Sequence, residues 1–259
     1  MVLQKFSRRA FIVLAAAMGT GLVLSMSPGM ARAEKALAKR CVVVWSEGTA
    51  PKNVYPNDIC GAIAEGLKEL KGWEVIEANL SDPNQGLPDD LLKRTDVLIW
   101  WGHRRHEQVK DELVEKIVRR VKEDGMGYIA LHSSHFAKPN KMLMGSPCSW
   151  GAYLGDSNTL TITVKDPNHP IAKGIGGFTI THNERYSDPY AVPQPKAVVF
   201  EGTYTLNNGG TDTSQQGLTW EVGKGKVFYF QLGHETNPVF FDPNVRKIMS
   251  NAVEWAASK

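Results

Sequence analysis

Histidines follow three apolar segments that lie far apart in this 259-residue chain. His103 follows the first segment, His132 and His135 follow the second, and the pair His234-Glu235 follows the third. In an open α/β sheet, successive parallel strands end at one crevice, so distant pieces of chain deliver side chains to the same place. Imidazole and carboxylate groups gathered in this way bind metals or exchange protons. The spacing therefore predicts a metal site or an acid–base site.

Three further residues belong to this set of candidates. Glu47 follows the apolar run 41–45, and His182 and Glu184 follow a later β-like segment. Two mechanisms stay open for these groups. In the first, imidazoles and carboxylates hold a divalent metal, for which Zn, Mn, Fe or Ni suits the ligands. In the second, no metal binds, and histidine and glutamate act as general acid and base.

The elements that must position these residues alternate between strand and helix in the first half of the chain. Nearly continuous apolar runs are typical of parallel strands that are covered on both faces, and they alternate here with amphipathic stripes of helical period. This alternation predicts a doubly wound, mostly parallel sheet. We expect strands at 41–45, 73–78, 96–101 and 126–131, a helix that begins at Asn57 or Asp58, and a helix over 107–124 that ends at Gly125.

The second half is richer in β-structure and less regular. Proline after Asp242 fits the first helical position of a final helix, which has an apolar stripe. Residues 207–216 are polar and contain glycine, which predicts a turn or loop. The predicted strands are 159–164, 178–181, 197–201, 218–221 and 227–232. The expected architecture is one α/β domain over residues 34–259, with β-rich additions in its second half.

The first 33 residues have the pattern of a twin-arginine signal peptide. Arg8-Arg9 precedes an uncharged apolar stretch, and Ala31-Arg32-Ala33 is a small-x-small cleavage site. The apolar stretch is interrupted by two glycines and is short for a membrane span, so no stable membrane anchor is expected. The protein is therefore predicted to be exported to the periplasm or outside the cell.

The charge and the glycine pattern exclude two classes of partner. The predicted signal holds four basic residues, and its removal leaves 26 basic against 27 acidic residues, so nothing indicates nucleic-acid binding. The glycine-containing stretches 174–177 and 207–210 neither follow a strand nor open a helix, so no nucleotide is expected. Cys41, Cys60 and Cys148 form neither a disulfide framework nor a zinc ribbon.

Several ordered motifs resemble one family across almost the whole predicted mature chain. They are Trp45-Ser46-Glu47, Tyr55-Pro56, residues 61–67, Trp100-Trp101-Gly102-His103, residues 131–135, Glu184-Arg185-Tyr186, residues 226–230, residues 233–236 and residues 251–256. This set resembles the ThuA (trehalose utilisation) family. The resemblance implies a class I glutamine amidotransferase-like fold, related to flavodoxin-like sheets. It also implies a place in bacterial sugar metabolism, on 3-keto-glycosides made by partner sugar dehydrogenases.

Compared with true glutamine amidotransferases, the chain lacks the nucleophile. Those enzymes carry G-x-C-x-G at the nucleophile elbow, where this chain has Ser133 at the cysteine position and His135 at the last glycine. Because a thiolate supplies the nucleophile in that chemistry, glutaminase activity is not expected. A weaker variant of the site activates Ser133 through His234 and Glu235.

These observations lead to a hypothesis and one rival. The hypothesis is an exported hydrolase, lyase or isomerase that acts on a small-molecule sugar, with Trp45, Trp100 or Trp101, Tyr186 and Trp220 as stacking residues. The rival is a non-catalytic carbohydrate-binding or accessory protein that uses the same crevice. The candidate catalytic residues are His132, His234, Glu235, Glu184, Glu47 and Ser133, and the candidate metal ligands are His103, His132, His234, His135 and His182.

Overall fold

A computed structural model describes residues 39–206 and 208–258. Within these residues, nine strands form one sheet in the order β2-β1-β3-β4-β9-β8-β7-β5-β6. The predicted signal peptide lies outside the described residues. The strands are β1 Arg40–Ser46, β2 Trp73–Asn79, β3 Val97–Trp101, β4 Gly127–Leu131, β5 Trp150–Val164, β6 Phe178–Tyr190, β7 Ala197–Thr205, β8 Thr211–Val222 and β9 Gly225–Phe230. The helices are α1 Asp58–Leu67, α2 Asp89–Arg94, α3 Asp111–Asp124, α4 Lys138–Met144 and α5 Pro243–Ala256.

Strands β2, β1, β3, β4 and β9 are parallel neighbours and form the predicted doubly wound half. Alternate residues of β1 show why both faces are apolar: Val42 and Val44 pack with α1 and α5, whereas Val43 and Trp45 pack with α3. Gly125 adopts the left-handed conformation with φ +79° and ends α3, as predicted. None of the described helices is long and apolar enough to cross a membrane.

The other four strands are antiparallel and longer than the sequence pattern predicts. The predicted loop at 207–216 is wrong over its second part, because residues 211–216 belong to β8 and pair with β7. Their polarity misleads because Ser214 and Gln216 are buried and form hydrogen bonds with the side chain of Gln231. The predicted strand 178–181 likewise continues to Tyr190. These residues form an added antiparallel sheet rather than loops.

One end of the β5–β6 hairpin packs against the carboxyl ends of the central strands. The rings of Trp150 and Tyr190 stack with centroids 4.2 Å apart, and Tyr190 lies 5.1 Å from Tyr229 of β9. The amide of Gln231, which follows β9, donates to the Tyr186 carbonyl at 3.2 Å. These contacts bring β6, the last strand in the sheet order, to the edge where the predicted site residues lie.

Candidate metal centre at the strand ends

His132 occupies the turn that leaves β4. It has a φ of +50°, a conformation that non-glycine residues adopt rarely and only when their surroundings enforce it. The surroundings here are specific: the His132 carbonyl accepts hydrogen bonds from Tyr229 Oη at 2.9 Å and from His135 Nδ1 at 3.0 Å. The His132 ring is fully buried, and its Nδ1 lies 2.9 Å from the Gln231 carbonyl oxygen. Contacts with Tyr229 and His135 therefore fix the backbone of His132, and the contact with Gln231 fixes the direction of its ring.

The buried carboxylate of Glu184 faces this ring. Its Oε2 lies 2.7 Å from His132 Nε2 and accepts from Tyr186 Oη at 2.8 Å, while its Oε1 accepts from Tyr153 Oη at 2.7 Å. Burial raises the pKa of this carboxyl, but the hydrogen bond and charge of His132, the hydrogen bond of Tyr153 and the charge of His234 outweigh burial and lower the pKa to about 2. Glu184 is therefore an anion at neutral pH.

His234 completes a group of three. Its Nε2 lies 3.5 Å from Glu184 Oε1, and its Nδ1 contacts Oγ1 and the backbone N–H of Thr236 at 2.6 and 3.3 Å. The ligand atoms of His132, Glu184 and His234 all lie within 4.8 Å of one another. No other group of three such residues is brought together in the part of the chain that the structure describes. These three side chains, the metal group, could hold a metal ion.

Imidazole nitrogens and a carboxylate oxygen, the ligand atoms of this group, are of the kinds that bind a metal cation. Because a carbonyl oxygen only accepts, Nδ1 of His132 must carry its proton toward Gln231. Nε2 then points at a carboxylate oxygen 2.7 Å away, to which it donates when the ring is protonated and at which it directs a lone pair when the ring is neutral. Two acceptors at this distance repel each other unless a proton or a cation lies between them. The second hydrogen bond of a metal-ligating histidine usually goes to such a carbonyl, which fixes the tautomer.

His103 and Glu235 form a second pair beside the metal group. Glu235 Oε2 lies 3.3 Å from His103 Nδ1 and accepts from Thr49 Oγ1 at 2.9 Å, while Arg104 Nη2 lies 2.6 Å from Oε1. Burial raises the pKa of Glu235, but the hydrogen bonds of His103 and Thr49 and the charge of Arg104 lower it overall. The His103 ring lies 5.0 Å from the His234 ring. Glu235 thus orients His103, whereas the sequence pattern associates it with His234.

Glu47 lies behind the site rather than in it. Its Oε2 accepts from the backbone N–H groups of Arg104 and Arg105 at 2.7 and 2.9 Å, which holds the loop that carries His103. Its Oε1 lies 3.6 Å from Nδ1 of His106. The structure therefore gives this buried carboxylate a positioning contact, whereas the sequence predicts an acid or base.

Three of the predicted metal ligands lie outside the group of three: His103, which pairs with Glu235, and His135 and His182. His135 is buried, its Nδ1 donates to the His132 carbonyl, and burial lowers its pKa to about 3. His182 is exposed on β6. The pairing register between β5 and β6 shifts between Ile180 and Asn183, so His182 and Glu184 do not share a face although they are two residues apart.

A cleft of about 520 Å³ opens beside Glu184. Its lining combines polar groups of the site with the aromatic rings of Phe136, Trp150, Tyr153 and Tyr186. Of these rings, the sequence predicts only Tyr186 as a stacking residue. An assignment of 150–153 to a strand would have suggested Trp150 and Tyr153, which lie at its two ends, but not Phe136. The lining consists of His103, Ser133, His135, Phe136, Ser149, Trp150, Gly151, Ala152, Tyr153, Glu184 and Tyr186.

The predicted stacking tryptophans lie elsewhere. Trp45 and Trp100 are fully buried and stack on each other with centroids 3.7 Å apart, and Trp101 is fully buried on the opposite face of the sheet. Trp220 is buried and donates to the Pro193 carbonyl at 2.9 Å. Their apolar bulk fills the core, so the prediction that they stack on a ligand is wrong.

The turn after β4 also places Ser133 differently from the sequence comparison. A nucleophile elbow puts its nucleophile on the strained residue between strand and helix, and in this chain that residue is His132. Ser133 Oγ lies 3.3 Å from Tyr186 Oη, while Glu235 contacts His103, Arg104 and Thr49. The structure does not assemble a Ser133–His234–Glu235 relay from these residues.

The parallel core with its added antiparallel strands defines the class of protein. A glutamine amidotransferase from Thermotoga maritima shares this fold with a TM-score of 0.54 at 10% identity, over 85% of this chain and 99% of that one. The predicted class I glutamine amidotransferase-like fold is confirmed. The ThuA family, described as trehalose utilisation, matches residues 41–256, so the chain belongs to this family.

Solved structures of the family agree with this assignment. A ThuA-like protein from Parabacteroides merdae superposes with a TM-score of 0.58 at 15% identity, over 85% of this chain and 90% of that one. One from Bacteroides uniformis gives a TM-score of 0.55 at 18% identity, over 85% and 91%. No curated protein sequence matches the chain. At these identities the structural likeness establishes the fold alone.

Proposed function

We propose that this protein is an exported enzyme that hydrolyses, eliminates from or isomerises a glycoside, with 3-keto-glycosides as the preferred class, at a divalent metal held by His132, Glu184 and His234. Membership of the trehalose-utilisation family supports the carbohydrate. Export through the twin-arginine route rests on the motif in residues 1–33. A partner dehydrogenase that oxidises a sugar hydroxyl would supply the keto group.

The contact between His132 Nε2 and Glu184 Oε2 carries the metal part of the proposal. The hydrogen bond of Nδ1 to the Gln231 carbonyl turns Nε2 toward the Glu184 carboxylate, and a second imidazole is within reach of the same point. A cation there would take the place of the proton between Nε2 and Oε2. Two imidazoles and one carboxylate suit Zn, Mn, Fe or Ni. A cation bound there supplies Lewis acidity to a carbonyl or hydroxyl oxygen of the sugar.

The chain's own residues supply orientation and proton transfer. Tyr153 and Tyr186 hold the carboxylate of Glu184 in place. His103 lines the cleft, and its Nδ1 lies 3.3 Å from the Glu235 carboxylate, which favours a proton on Nδ1 and a lone pair on Nε2. His103 is therefore placed to accept a proton from a sugar carbon or hydroxyl and to return it, while Glu235 stabilises the imidazolium.

The metal content of the purified protein tests the proposal. We expect about one divalent ion per chain in the wild type, and loss of that ion in His234→Ala because one of three ligands is removed. His182→Ala is the matched control, since His182 is an exposed histidine on the same strand as Glu184, and it should keep the ion. A metal-free wild type that still folds would refute the metal site and leave histidine–glutamate acid–base catalysis or non-catalytic sugar binding.

Glu235→Gln should change the tautomer of His103 without removing the metal. In the wild type, the carboxylate acceptor favours the proton on Nδ1, whereas the amide of glutamine presents either an acceptor or a donor. Nitrogen-15 NMR of the imidazoles, with His103→Gln to assign the signals, should show one Nδ1-protonated form in the wild type and a mixture in the variant. An unchanged His103 signal would contradict the pairing with Glu235.

A further inference from the structure

The aromatic rings of the cleft run outward from the metal group. Tyr186 is buried beside Glu184, and its ring lies 5.7 Å from that of Tyr153 and 6.2 Å from that of Trp150. Trp150 is partly exposed, Phe136 is 42% exposed and Tyr153 is 59% exposed. The apolar lining therefore begins at the polar centre and ends in solvent.

Exposed apolar groups that adjoin one another mark binding sites more often than single exposed residues do, and Phe136 and Tyr153 line one cleft. The Phe136 ring is held against the His135 ring, with centroids 4.1 Å apart, and the Tyr153 ring is held by its hydroxyl on Glu184. Held rings lose little conformational freedom when a ligand packs on them, which favours binding. Sugar rings present C–H groups on their faces and hydroxyls at their edges, so aromatic faces complement them.

The volume of the cleft also exceeds that of one sugar ring. At about 520 Å³ it lies within the range of about 300–1,000 Å³ that is typical of small-molecule sites. One ring at Glu184 and His103 fills the polar end only. The aromatic end then remains for a second unit.

We propose that Phe136, Trp150 and Tyr153 form a stacking subsite for the second unit of a glycoside, so that the substrate has at least two units rather than being a free monosaccharide. The inference rests on the proposed function, because the metal group defines where the first ring lies. Phe136 and Tyr153 are then specificity-determining residues that act through the apolar face of the outer unit.

Calorimetric titration of the protein as purified tests the subsite, with glucose as the one-ring probe and trehalose and cellobiose as two-ring probes. We expect the wild type to bind at least one two-ring probe about 10-fold more tightly than glucose. Phe136→Ala should weaken two-ring binding by about 3- to 10-fold and change glucose binding by less than about 2-fold. Tyr153→Phe removes the hydroxyl that contacts Glu184 but keeps the aromatic ring, so it should retain the preference for two-ring probes.

Met142→Ala is the matched control, because Met142 is 45% exposed but does not line the cleft, and it should change neither affinity. Equal affinity of the wild type for one-ring and two-ring probes, or no measurable binding of any two-ring probe, would overturn the subsite. An equal loss of glucose and two-ring binding in Phe136→Ala would overturn it as well. The metal content of the same samples separates the outcomes, since a bound ion without a two-ring preference refutes the subsite alone.

Discussion

Glu184→Gln is expected to weaken metal binding by about 100-fold or more. Changes in the residues that only orient a metal ligand cost about 10- to 100-fold in affinity, and Glu184 is placed to supply a ligand atom itself. Glutamine keeps the shape and still accepts a hydrogen bond from Tyr186 or Tyr153, so the loss comes mainly from the charge. The measurement is competitive titration of Zn²⁺ against a chromogenic chelator at fixed pH.

Glu235→Gln provides the matched control for this experiment. The same substitution is made at the same edge of the sheet, but Glu235 contacts His103, Arg104 and Thr49 rather than the metal group. We expect the Zn²⁺ affinity of this variant to stay within about 3-fold of the wild type, below the effect of a change in a direct metal partner. Equal affinities of the two variants would show that Glu184 does not bind the ion.

Acid is expected to destabilise the protein strongly through His135. Burial lowers the pKa of this histidine from 6.5 to about 3, although its hydrogen bond to the His132 carbonyl opposes the shift. Between pH 6.5 and pH 3 the unfolded chain binds a proton that the folded chain does not, so the free energy of unfolding falls as the pH falls. The shift corresponds to a loss of about 5 kcal/mol across this window.

Urea unfolding of the metal-free protein from pH 7.5 to pH 4, compared with His135→Gln, isolates this contribution. Glutamine does not titrate, so the variant should be less stable at pH 7.5, and its stability should approach or exceed that of the wild type at low pH. Burial also lowers the pKa values of His106 and His169. The contribution of Glu184 to the free energy of unfolding is lost as the pH falls from about 4.5 to about 2. These groups are present in both proteins and cancel in the difference. If the free energies of unfolding of the wild type and of His135→Gln changed in parallel with pH, the lowered pKa of His135 would be contradicted.

The parallel half of the fold could be predicted from sequence because its signals are local. Apolar runs and helical stripes locate β1 to β4, and the strand-end rule brings His103, His132 and His234 to one edge without any knowledge of contacts. The fold class follows from that alternation and from the family resemblance.

The antiparallel half could not be predicted in the same way. The polar strand at 211–216 forms because its buried side chains bond to Gln231, a partner that is distant in sequence. The separation of Glu184 from His182 depends on a register shift, and the pairing of Glu235 with His103 depends on how two loops pack. Each of these is a tertiary effect that the sequence pattern does not encode locally.

The place of β9 in the sheet has a consequence for how the protein folds. β4 ends at Leu131, but its parallel partner β9 begins at Gly225, after four antiparallel strands have been synthesised. His132 and His234 are 102 positions apart, so the contact between them closes a long loop and forms slowly compared with local structure. An emerging chain therefore exposes one edge of β4 until β9 has been synthesised. The three side chains of the proposed metal site can therefore come together only after the chain has been synthesised through His234.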